Sequence, residues 1–299
     1  MSLFLQVILP IIAVFASGYI LQRIRVSDVR TLSTVTIYIL TPALVFINLS
    51  EADFDSSYMI IVVFMLVLFF IMVLFSKLLA RIFKWSVSVE SATILTSGFM
   101  NSGNYGLPVV LFTVGEAALP YAVFIMVVQS MMNNFFGVYY ASRSTSGIKR
   151  ALGNIMKMPA TYAAVLAFMY QGFSWPPFPE SIHSTLSMVG DAAIPVMMVM
   201  LGMQLASITS LKLNWQVVTS AVVLKMVASP VIAFIFVALI DVDPMVAAVL
   251  VIISAMPTAA TTTMYAIEFD TEPDLVSGIT LVGTLISVGT LTILLNIIS

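Results

Sequence analysis

Ten runs of roughly 20 mostly apolar residues follow one another along this chain, separated by short charged or proline-rich breaks. Nothing constrains the fold more. A helix of that length crosses the ~30 Å hydrocarbon core of a bilayer, and it pairs its own backbone groups where no water can. The runs lie at Leu3 to Gln22, Leu32 to Leu49, Ser57 to Leu79, Ser91 to Val114, Leu119 to Ala141, Met158 to Gly172, Ile182 to Ser207, Trp215 to Ile240, Pro244 to Ile267 and Leu275 to Ile298. The chain is 61% hydrophobic and 9% charged, where soluble domains run at about 45–50% and 25%. The expectation is an all-α membrane protein of about ten transmembrane helices embedded in a lipid bilayer. The first run has no positive region ahead of it, and Arg23 and Arg25 come after it, so it reads as a first span rather than a cleaved signal.

Lysine and arginine alternate between the loops as such a count requires. Arg23, Arg25 and Arg30 follow span 1; Lys77, Arg81 and Lys84 close span 3; Arg143, Lys149, Arg150 and Lys157 follow span 5; Lys212 follows span 7. Loops after even-numbered spans carry acids only, among them Glu51, Asp53, Asp55, Glu116, Glu180, Asp241 and Asp243. The loop after span 9, with Glu268, Asp270, Glu272 and Asp274, is acidic as well, but carboxylates weigh little in this rule. Both termini are therefore expected on the non-cytoplasmic side of the plasma membrane.

Several chemistries drop out. Without cysteine there is no disulfide, thiolate nucleophile or zinc-thiolate site, and one histidine, His183, makes no metal cluster. A net charge of -2 suggests no nucleic acid. No G-x-x-x-x-G-K segment is present for ATP-driven work. Neither catalysis nor a cofactor is expected.

Five spans precede the basic loop and five follow it. Residues 1–142 are expected to form a first repeat, 143–157 a cytoplasmic basic loop and 158–299 a second repeat. Span 2 carries "YILTPALVF" and span 7 "DAAIPVMMV", each with one central proline, Pro42 and Pro195. Span 4 carries "NSGNYGLPVV" with Pro108, and span 9 carries "SAMPTAATTT" with Pro257. The offsets, 153 and 149 residues, are similar. With an odd number of spans per repeat, the second copy enters the membrane from the opposite side, which makes the repeat inverted.

A broken helix survives in hydrocarbon only where it lines a cavity or is packed in protein. In span 4, Pro108 is expected to make the break, while Gly103 and Gly106 let the backbone leave helical geometry. Asn101, Ser102 and Asn104, with Tyr105 beside them, are candidate substrate-binding residues. In span 9 the break falls at Pro257, with Thr258 among the hydroxyls that follow. If the two spans cross at their breaks, two half-helix N-termini point at the midplane and favour an anion. Two ionisable residues sit about ten residues into their spans, Asp191 in span 7 and Lys225 in span 8. They either pair and take part in coupling, or Lys225 holds a substrate carboxylate, or each is accommodated singly. The many methionines read as adaptable packing.

"LTPALVF", "NSGNYGLPV", "PVMMVMLGMQLA" and "SAMPTA" together resemble the auxin efflux carrier family, which joins plant PIN-FORMED carriers to bacterial permeases for malate, malonate and related acids. That resemblance implies a crossed-helix fold like that of bile-acid symporters and sodium/proton antiporters. It implies a scaffold of spans 1, 2, 6 and 7, a moving transport domain of spans 3–5 and 8–10, and a homodimer. By motif, Asn101, Asn104, Pro108 and Pro257 carry over as substrate-site and crossover residues. The long cytoplasmic loop of the plant carriers is missing, so the chain looks prokaryotic, specifically bacterial. The expected activity is transport of a small organic-acid anion by elevator-type alternating access. Sodium or proton coupling within the same fold is an alternative, and a channel or sensor is a rival of another class.

Overall fold

The computed structural model describes residues 4–25, 27–142, 158–173, 175–207 and 213–298. The basic loop 143–157 and Lys212 lie outside the described residues. Within them the protein is all-helical, and the one extended pairing is an isolated bridge between Met100 and Thr258.

Among the described residues, six helices are long and apolar enough to cross a membrane. They are α2 (Val29–Ser50), α3 (Ser56–Phe83), α6 (Glu116–Ser142), α8 (Glu180–Ala206), α9 (Trp215–Leu239) and α12 (Pro273–Ile298). Shorter are α1 (Leu9–Ile24) and α7 (Pro159–Gly172). Two further segments are each divided. Val87–Gly98 (α4) is followed by Leu107–Thr113 (α5), and Pro244–Ser254 (α10) by Ala260–Glu268 (α11).

The polar loop residues start and stop these helices. Side chains of Asp28, Asp55, Ser86, Asn214 and Asp243 accept from first-turn amides of α2, α3, α4, α9 and α10, meeting donors a helix cannot satisfy itself. α3 ends on Lys84 in the left-handed region, φ 53. Prolines act inside the helices. A π-helical turn ends two residues before each of Pro10, Pro42, Pro108 and Pro230. The ring has no N–H and crowds the carbonyl four residues back, so the ladder widens just upstream.

Large side chains such as Met59, Leu74, Leu239 and Ile293 face outward, as suits helices whose surroundings are lipid rather than water. Two pairs of helices pack with particular intimacy. α1 lies along the Ala193–Ala206 part of α8, and a Cβ at Gly18 would stand 2.0 Å from the Val199 carbonyl oxygen, one at Gly202 1.9 Å from that of Phe15. Only glycine permits that approach, the small-residue device of membrane helices. α7 packs on the second half of α2, where the Gln171 side chain donates to the Ser50 carbonyl at 3.0 Å. On the other side of the molecule, α4 packs against α3, α9 and α12. Behind its end, Phe69 stacks on Phe136 at 4.7 Å and tilts against Phe99 at 5.1 Å.

Candidate functional site

The two divided segments meet at their breaks. The Asn101 amide donates to the Pro257 carbonyl at 2.8 Å, and the Ala259 amide to the Phe99 carbonyl at 3.1 Å. These bonds flank the antiparallel bridge between Met100 and Thr258. The Thr258 hydroxyl donates to the Thr96 carbonyl at 2.7 Å, one of the oxygens that the end of α4 would leave unpaired. Each break thus satisfies the other, which answers the cost of an open backbone in hydrocarbon. Gly106 packs closely behind the crossing, where a Cβ would lie 2.6 Å from the end of the Ile253 side chain and that side chain would have to shift.

The position of one break differs from the sequence expectation. The chain leaves helical geometry at Phe99–Asn101, not at Pro108, which occupies the opening of α5. The π-helical turn Ser102–Gly106 just upstream accommodates the ring and its missing N–H, so the helix runs on through it. Pro257 does lie inside its break and contributes the carbonyl that Asn101 uses.

Past the crossing, two helical runs begin side by side, residues 102–113 and 260–268. Their first amides have no acceptor within the helix, and each start carries about half a positive charge. Both starts line a cavity of about 510 Å³. Asn101, Ser102, Gly103 and Asn104 form one wall, with Ala259, Ala260 and Thr261 beside them. α6 supplies Gln129, Ser130, Asn133 and Asn134; Thr36, Tyr38 and Thr41 of α2 and Gln204 of α8 stand opposite. Methionines 100, 126, 158, 197, 200 and 264 fill the apolar part. The cavity reaches the start of α2, the start of α7 and the end of α11, the half of the molecule that adjoins Arg23, Arg25 and Arg30.

Its polar lining is only partly used by the protein. The Asn133 side chain donates to the Thr261 hydroxyl, and the Tyr265 hydroxyl donates to Asn134 Oδ1 at 3.0 Å. Asn101 Nδ2, both polar atoms of Gln129, Asn133 Oδ1 and Gln204 Oε1 are buried without a partner among the described residues. Buried amides normally find partners. A cluster of such atoms around one cavity puts donors and acceptors in reach of whatever polar group could enter it.

Of the residues singled out in the sequence, Asn101, Ser102, Gly103 and Asn104 meet here. Tyr105, Thr258 and Lys225 do not. Tyr105 is buried behind the wall, accepting from the Ser287 hydroxyl at 3.1 Å with its ring edge-on to Phe15 at 5.0 Å. Thr258 holds the crossing together. Lys225 lies in a π-helical turn of α9, 1% exposed. Asp191, on the outside of α8 beside its kink at Ala192, is not its partner. Both prolines outside the crossing, Pro42 and Pro195, lie in helices of the wall opposite the breaks. Gln129, Asn133, Asn134 and Gln204 were missed, although "QSMMNN" is a polar cluster inside an apolar span.

An all-helical body with apolar flanks, six helices long enough to span a bilayer among the described residues, and two broken helices that cross defines a multi-pass membrane protein. The family model described as membrane transport protein matches residues 3–295. The chain belongs to that family, as the resemblance to the auxin efflux carriers implied. An uncharacterized transporter of Methanocaldococcus jannaschii is 26% identical over 296 residues, 95% of either chain. A second, of Methanothermobacter thermautotrophicus, is 25% identical over 288 residues, 94% of either chain. Family and relatives point to a transporter rather than an enzyme; both relatives are archaeal, so a bacterial source does not follow from them.

Proposed function

We propose that this protein is a secondary carrier for a small organic-acid anion, such as malate, malonate or an auxin-like weak acid, in the plasma membrane. The observation that carries this is the cavity at the crossing, where two helix starts and the amides of Asn101, Asn104 and Gln129 converge. Helix starts suit a carboxylate, and side-chain amides fix its orientation. Membership of a transport family supports the same conclusion.

The remaining architecture follows from this proposal. Ten spans form two inverted repeats, with each divided segment counting as one span and both termini outside the cell. The close α1–α8 and α2–α7 contacts support a scaffold of spans 1, 2, 6 and 7. The cavity wall divides between α2, α7 and α8 on one side and the breaks with α6 on the other, which supports an elevator in which spans 3–5 and 8–10 move. A cavity adjoining the arginine-bearing loops makes this the cytoplasm-facing state. The scaffold is the surface on which a homodimer would form. A sodium- or proton-coupled mechanism is the second reading, and the buried Lys225 favours the proton.

Counterflow in proteoliposomes tests the function. Labelled malate, malonate and indole-acetate are offered to vesicles preloaded with the same unlabelled acid. At least one acid is expected to enter saturably, and Asn104→Ala is expected to lose that flux. Unsaturable current at channel rates would contradict a carrier.

A further inference from the structure

Lys225 is 1% exposed, and its Nζ has no hydrogen-bond partner among the described residues. Lysine is almost never fully buried unless paired, and a bare ammonium in such a place is costly. It sits in the π-helical turn Leu224–Ala228, a departure from regular helix that recurs at functional positions. One turn on, Ser229 donates its hydroxyl to the carbonyl of Ser254, the last residue of α10, at 2.7 Å. The same turn packs against α4, whose end at Gly98 opens the other break. Lys225 therefore stands in a turn packed on α4 and one turn from the Ser229 contact with the end of α10, two segments whose ends at the crossing carry partial negative charge. Lys225 is not among the residues that line the cavity, where the positive ends meet.

The elements packed on this turn are α3, α4 and α12. Their charged groups lie toward the helix ends. Lys77 is exposed, its Nζ over the Tyr140 ring at 5.9 Å, and Arg81 follows it. Glu90 is in the first turn of α4 and already has a partner; Asp274 is in the first turn of α12. None bonds to Lys225. At the depth of the crossing, α3, α4 and α12 present hydroxyls, including Ser76, Ser97 and Thr284, each already donating to a carbonyl of its own helix.

We propose that Lys225 is the proton carrier of this transporter, giving up its proton in the arrangement seen here and regaining it in the opposite one. In the loaded, outward-facing state the ammonium faces the negative ends of α4 and α10 while the acid anion sits at the positive ends across the crossing. One proton and one anion then move together, which cancels the charge of a monoanion and leaves a dicarboxylate with one negative charge to move. On the cytoplasmic side both leave, and the amine returns neutral. This rests on the carrier function proposed above and adds its driving force.

The test uses purified full-length protein with malate, malonate and indole-acetate as probes. In proteoliposomes with an acidic exterior, the wild-type protein is expected to accumulate at least one acid several-fold above equilibrium. Lys225→Met, which cannot take up the proton, is expected to lose accumulation, and such counterflow as it keeps is expected not to respond to pH. A second measurement is independent of transport: thermal stabilisation by the same acid between about pH 6.5 and 9. Apparent affinity of the wild type should fall with rising pH, approaching about tenfold per unit, and that of Lys225→Met should be flat. Undiminished pH-driven accumulation by Lys225→Met, or an equal pH slope in both proteins, would overturn the role of Lys225. Failure of the wild type to show counterflow with any acid would instead overturn the carrier function, and this role with it.

Discussion

The amide of Asn101 donates to the carbonyl of Pro257 across 2.8 Å, joining two chain segments that lie 156 positions apart. With the reciprocal bond from Ala259 to Phe99 at 3.1 Å, it turns two gaps in two helices into one short antiparallel pairing. Hydrocarbon would not tolerate either gap alone. The cavity exists because the two repair each other and leave their helix starts facing the same space.

Thr258 is expected to matter for stability rather than for substrate. Its hydroxyl serves the Thr96 carbonyl at 2.7 Å in a site with no exposure. Thr258→Val would leave that oxygen unpaired, a loss of about 1–3 kcal/mol. Thermal unfolding in detergent should show a lower Tm, Thr258→Ser should restore it, and the KM for counterflow should change little.

Gln129 is expected to show the reverse pattern. Both of its polar atoms are buried without a partner among the described residues, so Gln129→Leu removes a desolvation cost of order 1 kcal/mol. The variant should unfold at a higher temperature yet need several-fold more acid to half-saturate counterflow. A trade of function against stability is the mark of a side chain kept for a guest.

Gly202 is expected to tolerate no side chain. A Cβ there would press within 1.9 Å of a backbone oxygen of α1, which cannot swing aside. Gly202→Ala should destabilise by about 1–3 kcal/mol through overpacking. Gly289, with open space around its Cβ position, supplies the control: Gly289→Ala should leave the unfolding temperature unchanged or raise it slightly, alanine being the better helix former.

Much of this was readable in the amino-acid sequence because a bilayer reduces the choices. Polar residues packed into "NSGNYG" had to line or fill something, and Asn101 to Asn104 do line the cavity. Pro108 misled because a proline inside a helical run can be absorbed by a π turn upstream of it, as in residues 102–113, while the true gap at Phe99–Asn101 holds neither glycine nor proline. Asp191 and Lys225 share a depth in the membrane, which residue counting gives, but not a direction around their helices, which only neighbours decide. Asp191 turns outward at the α8 kink and Lys225 inward at a π turn. Gln129 and Asn133 went unnoticed for the same reason, since a polar residue in a span looks alike whether it meets a cavity or another helix.

A water-reachable acid site at the crossing can be tested directly by labelling. The chain has no cysteine, so Thr261→Cys, at the start of α11 in the cavity wall, is the only thiol present. A water-soluble maleimide should modify it despite its mid-span position, and saturating malate, malonate or indole-acetate should slow the reaction several-fold. A thiol that never reacts, or one whose rate none of the acids alters, would contradict the account.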